Sequence, residues 1–201
     1  MTKIDLLNLG IYGTNCYLIR SDDSTSCAVI DPGGDGAKAL EKAKELGLTV
    51  EAILLTHGHF DHVGGVKELQ ALAQCPVYLH AADLSLPQAL TAGPLNPTDL
   101  LEDGDVLNLA GLTIQVLHTP GHTAGSVCFL TGDALFVGDT LFARSCGRTD
   151  LPGGDPASMT ESLKALGNLS YDGPAYPGHG PQTTLEAERA QNPYLREAMA
   201  Q

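Results

Sequence analysis

Thr56-His57-Gly58-His59-Phe60-Asp61-His62 sets three imidazoles and a carboxylate within six residues, directly after the apolar run Ala52–Leu55 and ahead of a helical pattern. A loop between a buried strand and a helix places its side chains at the strand's C-terminal end, where ligands gather. Imidazole nitrogen and carboxylate oxygen are donors that zinc, iron and manganese accept, and Gly58 is expected to let the backbone turn so that its neighbours converge. Four such groups exceed one mononuclear catalytic site.

Further donors recur at turns after apolar runs: His122 in Thr119-Pro120-Gly121-His122-Thr123, Asp139 after Phe136-Val137-Gly138, and His179 in Pro177-Gly178-His179-Gly180. With His57, His59, Asp61 and His62 these make seven potential ligands, and five of the chain's seven histidines fall in the pattern. An aspartate can bridge two metals, so the set permits four protein ligands at each of two sites.

Strands are expected near Ile4–Asn8, Thr14–Arg20, Ala28–Ile30, Ala52–Leu55, Val77–His80, Leu112–Leu117, Val127–Leu130 and Leu135–Val137, from apolar runs or alternation bounded by Gly, Pro or Asp. Helices are expected where Leu40, Ala43 and Leu46, then Val66, Leu69 and Ala73, recur at three to four residues, with Gly47 as terminator of the first. Asp155-Pro156 supplies an N-cap and first-turn proline for a third helix ending near Gly167-Asn168, and Thr183-x-x-Glu186 reads as a capping box for a C-terminal one. The irregular stretch Leu84–Asp99 reads as a connector between two structural halves. Strands then helix, twice over, is an α+β pattern of two packed sheets with helices outside, in one domain over residues 1–201.

Eleven Lys and Arg against twenty-four Asp and Glu give a net charge of −13, which repels nucleic-acid backbones and anionic membrane surfaces. Residues 106–132 carry no Asp, Glu, Lys or Arg, but their Asn, Gln, His, Pro and Gly content is unlike a membrane span. Lys3 and Asp5 interrupt the apolar stretch an export signal would need. Five cysteines without a C-x-x-C pair suggest neither a disulfide framework nor a zinc ribbon, and fit a reducing cytoplasm.

The segments T-H-G-H-F-D-H, T-P-G-H-T-A-G-S, F-V-G-D-T and P-G-H-G, in this order, resemble the metallo-β-lactamase superfamily over nearly the whole chain. The resemblance implies a four-layer αββα sandwich of two mixed sheets, with two divalent metals at one edge. It assigns His57, His59 and His122 to the first metal, Asp61, His62 and His179 to the second, and Asp139 as the bridge. Thr14-Asn15-Cys16-Tyr17, Asp31-Pro32-Gly33 and Gly147-Arg148-Thr149-Asp150 look like the short glyoxalase II-like (hydroxyacylglutathione hydrolase-like) branch. Longer glyoxalase II enzymes carry a C-terminal helical domain that grips glutathione, and the short tail after His179 has no room for one.

Basic residues are absent between Lys67 and Arg144, so Arg144 and Arg148, closely following Asp139, are the candidates to meet a substrate carboxylate; an Arg148–Asp150 contact that only orders the loop is the alternative. Asp31 either accepts a hydrogen bond from a ligand imidazole or is a simple turn residue. His80 and His118 fall outside the ligand set, and Cys146, without a base beside it, reads as a small buried residue rather than a nucleophile.

The expected function is a binuclear metal hydrolase of small thioesters, glutathione conjugates among them, using a metal-bridging hydroxide, with zinc ahead of iron or manganese and with Asp61 and Asp139 at the reacting centre. A thiolate leaves readily because its acid has a pKa near ~8.5. The rival is a persulfide dioxygenase, which shares the Gly-Arg-Thr-Asp stretch and would hold one iron at positions matching His57, His122 and Asp139.

Overall fold

A computed structural model describes all residues, Met1–Gln201. The first sheet is built in chain order from β1 (Thr2–Leu9), β2 (Thr14–Ser21), β3 (Ser26–Ile30), β4 (Thr49–Leu54), β5 (Val77–His80) and β6 (Asp99–Leu101). Pairing is antiparallel across β1–β2–β3 and parallel from β3 to β6. Parallel neighbours need crossovers, which here contain α1 (Gly36–Glu45) between β3 and β4 and the pair α2 (Phe60–Val63) and α3 (Val66–Ala73) between β4 and β5.

The second sheet comprises β7 (Val106–Leu109), β8 (Leu112–His118), β9 (Val127–Leu130), β10 (Leu135–Gly138), β13 (Pro174–Pro177) and β14 (Thr183–Thr184), in the order β14-β13-β10-β9-β8-β7. It is antiparallel except for β10–β13, whose crossover holds α4 (Pro156–Gly167). A small hairpin, β11 (Leu141–Phe142) with β12 (Ser145–Cys146), leaves β10, and α5 (Leu185–Gln191) and α6 (Pro193–Ala200) close the chain.

Side-chain alternation distributes the strands among three apolar clusters. In β2, Tyr17 and Ile19 face the second sheet while Cys16 and Leu18 face α1 and α3; in the second sheet, Phe129 and Phe136 face inward while Cys128, Leu135 and Val137 pack on α4 and α6 with Met159, Leu163 and Leu195. Three buried interfaces make four layers, the αββα sandwich expected. Fully buried Phe129, Phe136, Ile114 and Leu54 each contribute roughly 1.5–3 kcal/mol. Backbone bonds from Val127 to the Thr56 carbonyl and from Asn15 to the Gly178 carbonyl stitch the two sheets along one edge.

Three local readings change. Leu84–Asp99 does not join the halves: the first sheet still gains β6, and the crossing comes after Leu101. The cap of α5 is Thr184, which accepts from Ala187 N–H, whereas Thr183 gives its hydroxyl to Glu188. The C-terminal helix is two, divided where Asn192 ends α5 and caps α6 ahead of Pro193. No helix is long and apolar enough to cross a membrane.

Candidate metal centre

The seam between the sheets gathers the strand ends that carry the donors. The loop after β4 brings His57 and His59, α2 presents Asp61 and His62, the β8–β9 turn carries His122, Asp139 follows β10, and His179 follows β13. Three overlapping groups result, His57–His59–His122, His57–His62–Asp139 and Asp61–His62–His179, each with ligand atoms within 4.8 Å of one another. Asp139 is the shared neighbour, with its carboxylate 3.5 Å from His62 Nε2, 3.6 Å from His122 Nε2 and 3.7 Å from His179 Nε2. All seven expected residues meet in one cluster.

The surroundings fix which imidazole nitrogens face inward. His122 Nδ1 donates to the Arg148 carbonyl at 2.8 Å, and His62 Nδ1 donates to Asp31 Oδ2 at 2.9 Å. The Thr56 hydroxyl donates to Asp31 at 2.6 Å and so accepts from His57 Nδ1 at 3.1 Å. In these three rings Nδ1–H is committed outward and Nε2 turns to the centre, the arrangement outer partners impose on metal-binding imidazoles, whereas His59 presents Nδ1, 2.9 Å from His122 Nε2. His57 Nε2 and Asp139 Oδ1 are buried with no hydrogen-bond partner. Buried polar atoms are costly to leave unpaired, so this donor set fits a candidate binuclear site for divalent cations.

Charge differs across the cluster. Burial and the facing imidazoles push His57 well below the usual histidine range and His59 down to about 4. Burial also opposes a proton on His62, yet Asp139, Asp31 and Asp61 together push it up to about 9. The Asp61 hydrogen bond raises His179. Asp61 itself, despite burial, is held down to about 2 by His179 and His62.

Asp31 is a supporting residue rather than a simple turn: at φ +50 its carboxylate accepts from Thr56 N–H, the Thr56 hydroxyl and His62. Asn15 and Tyr17 hold the His179 loop through its backbone, with Asn15 Nδ2 on the Pro177 and Gly180 carbonyls and Tyr17 Oη on Pro177. Gly58 does not sit at positive φ, so the expected turn does not require it; a Cβ there would stand 2.7 Å from Leu95 Cδ1. At Gly178 a Cβ would run into Asp139 Oδ1 and His62.

Sequence reasoning missed Asp83. From the short 3-10 turn after β5, its buried carboxylate accepts from Gly58 N–H at 2.7 Å, Gly125 N–H at 2.7 Å and the Thr123 hydroxyl at 3.0 Å, tying the His57–His59 loop to the His122 turn. Burial pushes its carboxyl up while these donors pull it down. Ala81-Ala82-Asp83-Leu84-Ser85 reads as an ordinary surface turn, and nothing in its spacing marks the tertiary contacts.

The two arginines divide their roles. The Arg148 side chain forms an exposed bidentate pair with Asp150, at 2.7 and 2.8 Å, while its carbonyl supports His122. Its positive charge still bears on His59. Arg144, at φ +60, is exposed and gives its backbone N–H to Glu188. Cys146 is half-buried, and burial raises its thiol. His80 and His118 stack on each other, centroids 4.1 Å apart, outside the three donor groups.

Comparison with known proteins agrees with this fold. The chain is 36% identical over 208 residues to the hydroxyacylglutathione hydrolase GloC of Haemophilus influenzae, covering 96% of this chain and 98% of that one. Among solved structures, the BLEG-1 B3 metallo-β-lactamase superposes with a TM-score of 0.86 at 38% identity, covering 97% and 99% of the two chains. TTHA1623 in a di-iron-bound form superposes at 0.84 with 41% identity, covering 94% and 99%. The family model of the metallo-beta-lactamase superfamily matches residues 9–179, and the chain belongs to that superfamily of metal-dependent hydrolases.

Proposed function

We propose that this protein is a binuclear metal-dependent hydrolase of small thioesters, of hydroxyacylglutathione hydrolase type. The observation that carries the reading is the pair of donor groups flanking Asp139, with Nε2 lone pairs oriented inward by Arg148, Asp31 and Thr56. The similarity to GloC along nearly its whole length supports the substrate class. His57, His59 and His122 would hold one ion, Asp61, His62 and His179 the other, and Asp139 both. Two metals there would lower the pKa of a water between them and polarise the scissile carbonyl.

The chain's own residues favour a leaving group that needs no proton. Asp61, held down to about 2, is a carboxylate with no proton to give near neutrality, and the inward imidazole nitrogens are committed as ligands. A thiolate departs unprotonated, whereas an amine leaving from a lactam does not. Arg148, beside the centre in an acidic chain, is the proposed contact for an anionic substrate, and reaching it requires the Asp150 pair to open.

Metal analysis of the purified protein, paired with assays on S-lactoylglutathione, glutathione persulfide and a β-lactam, tests the reading. Two metals per chain with thioester cleavage are expected, zinc first, with iron or manganese as alternatives. One iron per chain with sulfite released from the persulfide would instead establish the dioxygenase, for which the complete Asp61–His62–His179 group would be superfluous. Lactam turnover without thioester cleavage would also sink the proposal.

A further inference from the structure

We propose that Glu188 and Asn192, at the far C-terminal end of the chain, are positioning residues for the metal centre; the inference rests on the binuclear reading above. Both are buried, at 2% and 0% exposure, and neither lies beside a donor in sequence. Asn192 Nδ2 shares its two hydrogens among three acceptors, the Phe142 carbonyl at 3.2 Å, the Ser145 carbonyl at 2.9 Å and Glu188 Oε2 at 2.8 Å, while its Oδ1 caps α6. Glu188 Oε2 also accepts from Arg144 N–H at 2.7 Å, and its Oε1 accepts from the Thr183 hydroxyl at 2.6 Å. One carboxylate and one amide therefore grip the β11–β12 hairpin, including the left-handed Arg144 at its tip.

The hairpin and the two residues that follow it reach all three donors the second sheet supplies. It leaves Asp139 at one end, and at the other Gly147 packs so closely on the Asp139 carbonyl that a Cβ would overlap it. Arg148, next in the chain, gives its carbonyl to His122. The Phe142 ring stands 6.5 Å from the His179 ring. Asp139, His122 and His179 come from three separate turns, so a common brace sets their spacing where sequence adjacency cannot.

Chelator competition on the metal-loaded protein tests this with three variants. Asn192→Ser retains an oxygen to cap α6 and removes the amide; Glu188→Ala removes the acceptor for Arg144; Leu195→Ala opens the same helix layer without touching the hairpin's hydrogen bonds. Loss of a direct outer partner of a metal ligand weakens metal binding about 10–100-fold; Asn192 and Glu188 act one contact further out, so a loss at the lower end, about tenfold, is expected for Asn192→Ser and for Glu188→Ala. Near wild-type affinity is expected for Leu195→Ala despite its lower Tm. Unchanged affinity in Asn192→Ser or Glu188→Ala, or an equal loss in Leu195→Ala, overturns the inference while leaving the binuclear reading intact. A wild-type chain that binds no metal overturns both.

Discussion

The two donor triads that flank Asp139 differ in depth and in charge. His57, His59 and His122 are almost inaccessible, whereas the side chains of Asp61 and His179 retain 19% and 28% of their exposure. The deep imidazoles face one another under burial, so the His57 pKa is held well below the usual histidine range and that of His59 is held down to about 4. In the other triad the donors face carboxylates, and His62, itself fully buried, is pushed up to about 9 and holds its proton at neutral pH when no metal is present. Ligands must be deprotonated to bind. A cation at His57 and His59 would therefore displace no proton, whereas one at His62 would have to displace one.

Asp139→Ala tests whether the triads form one centre and should have the largest effect: loss of both metals and turnover down by at least about a thousandfold, since stabilisation at an oxyanion-type site alone is worth about 10²–10³. Retention of two metals by elemental analysis would make the triads independent. His179→Ala should separate them, leaving about one metal per chain because its near neighbours are Asp61 and His62. Equal loss of both metals would show that depth does not divide the centre.

Asp83→Ala attacks the deep triad through its loops. Two backbone amides and a hydroxyl lose a buried acceptor, a cost of about 3 kcal/mol readable in the urea midpoint, and the deep ion should weaken more than the open one. Equal weakening would mean that Asp83 only stabilises the fold. Arg148→Ala is expected to act less. The carbonyl on His122 survives the substitution, so metal content should hold while KM for an anionic thioester rises by about tenfold or less, with kcat little changed. That is the pattern when uniform binding is lost. An equal fall in kcat/KM for a neutral thioester would leave Arg148 the role of ordering its loop with Asp150.

The donors were legible because each sits in a short Gly-containing turn after an apolar run, and β5 and β9 match Val77–His80 and Val127–Leu130 to the residue. What was not legible depends on closure of the chain. Thr183 and Thr184 are equivalent as caps until Glu188 claims one of them. Asp83 acquires its meaning only when Gly58 and Gly125 arrive from two different sheets. Arg148 was read by its side chain, although its carbonyl is what meets a candidate ligand.

The smallest expected effect sharpens the contrast in charge without touching a donor. His80, at the end of β5, stacks on His118 at the end of β8, and His118 Nε2 donates to the Ala124 carbonyl on the turn that carries His122. Burial and the neighbouring imidazole of His118 lower the His80 pKa, against the pull of Glu102 and Asp103. The unfolded chain therefore takes up a proton on His80 as pH falls through about 6.5, before the folded chain does. The unfolded state then binds more protons, so stability is full above that pH and declines below it. His80→Phe keeps a ring in the stack and removes the titration, at the uniform cost of the acceptor for Ala82 N–H. The loss of Tm between pH 7.5 and 5.5 should be smaller in His80→Phe than in the wild type, by a few degrees at most. An identical loss would show that titration of His80 contributes nothing to the acid sensitivity.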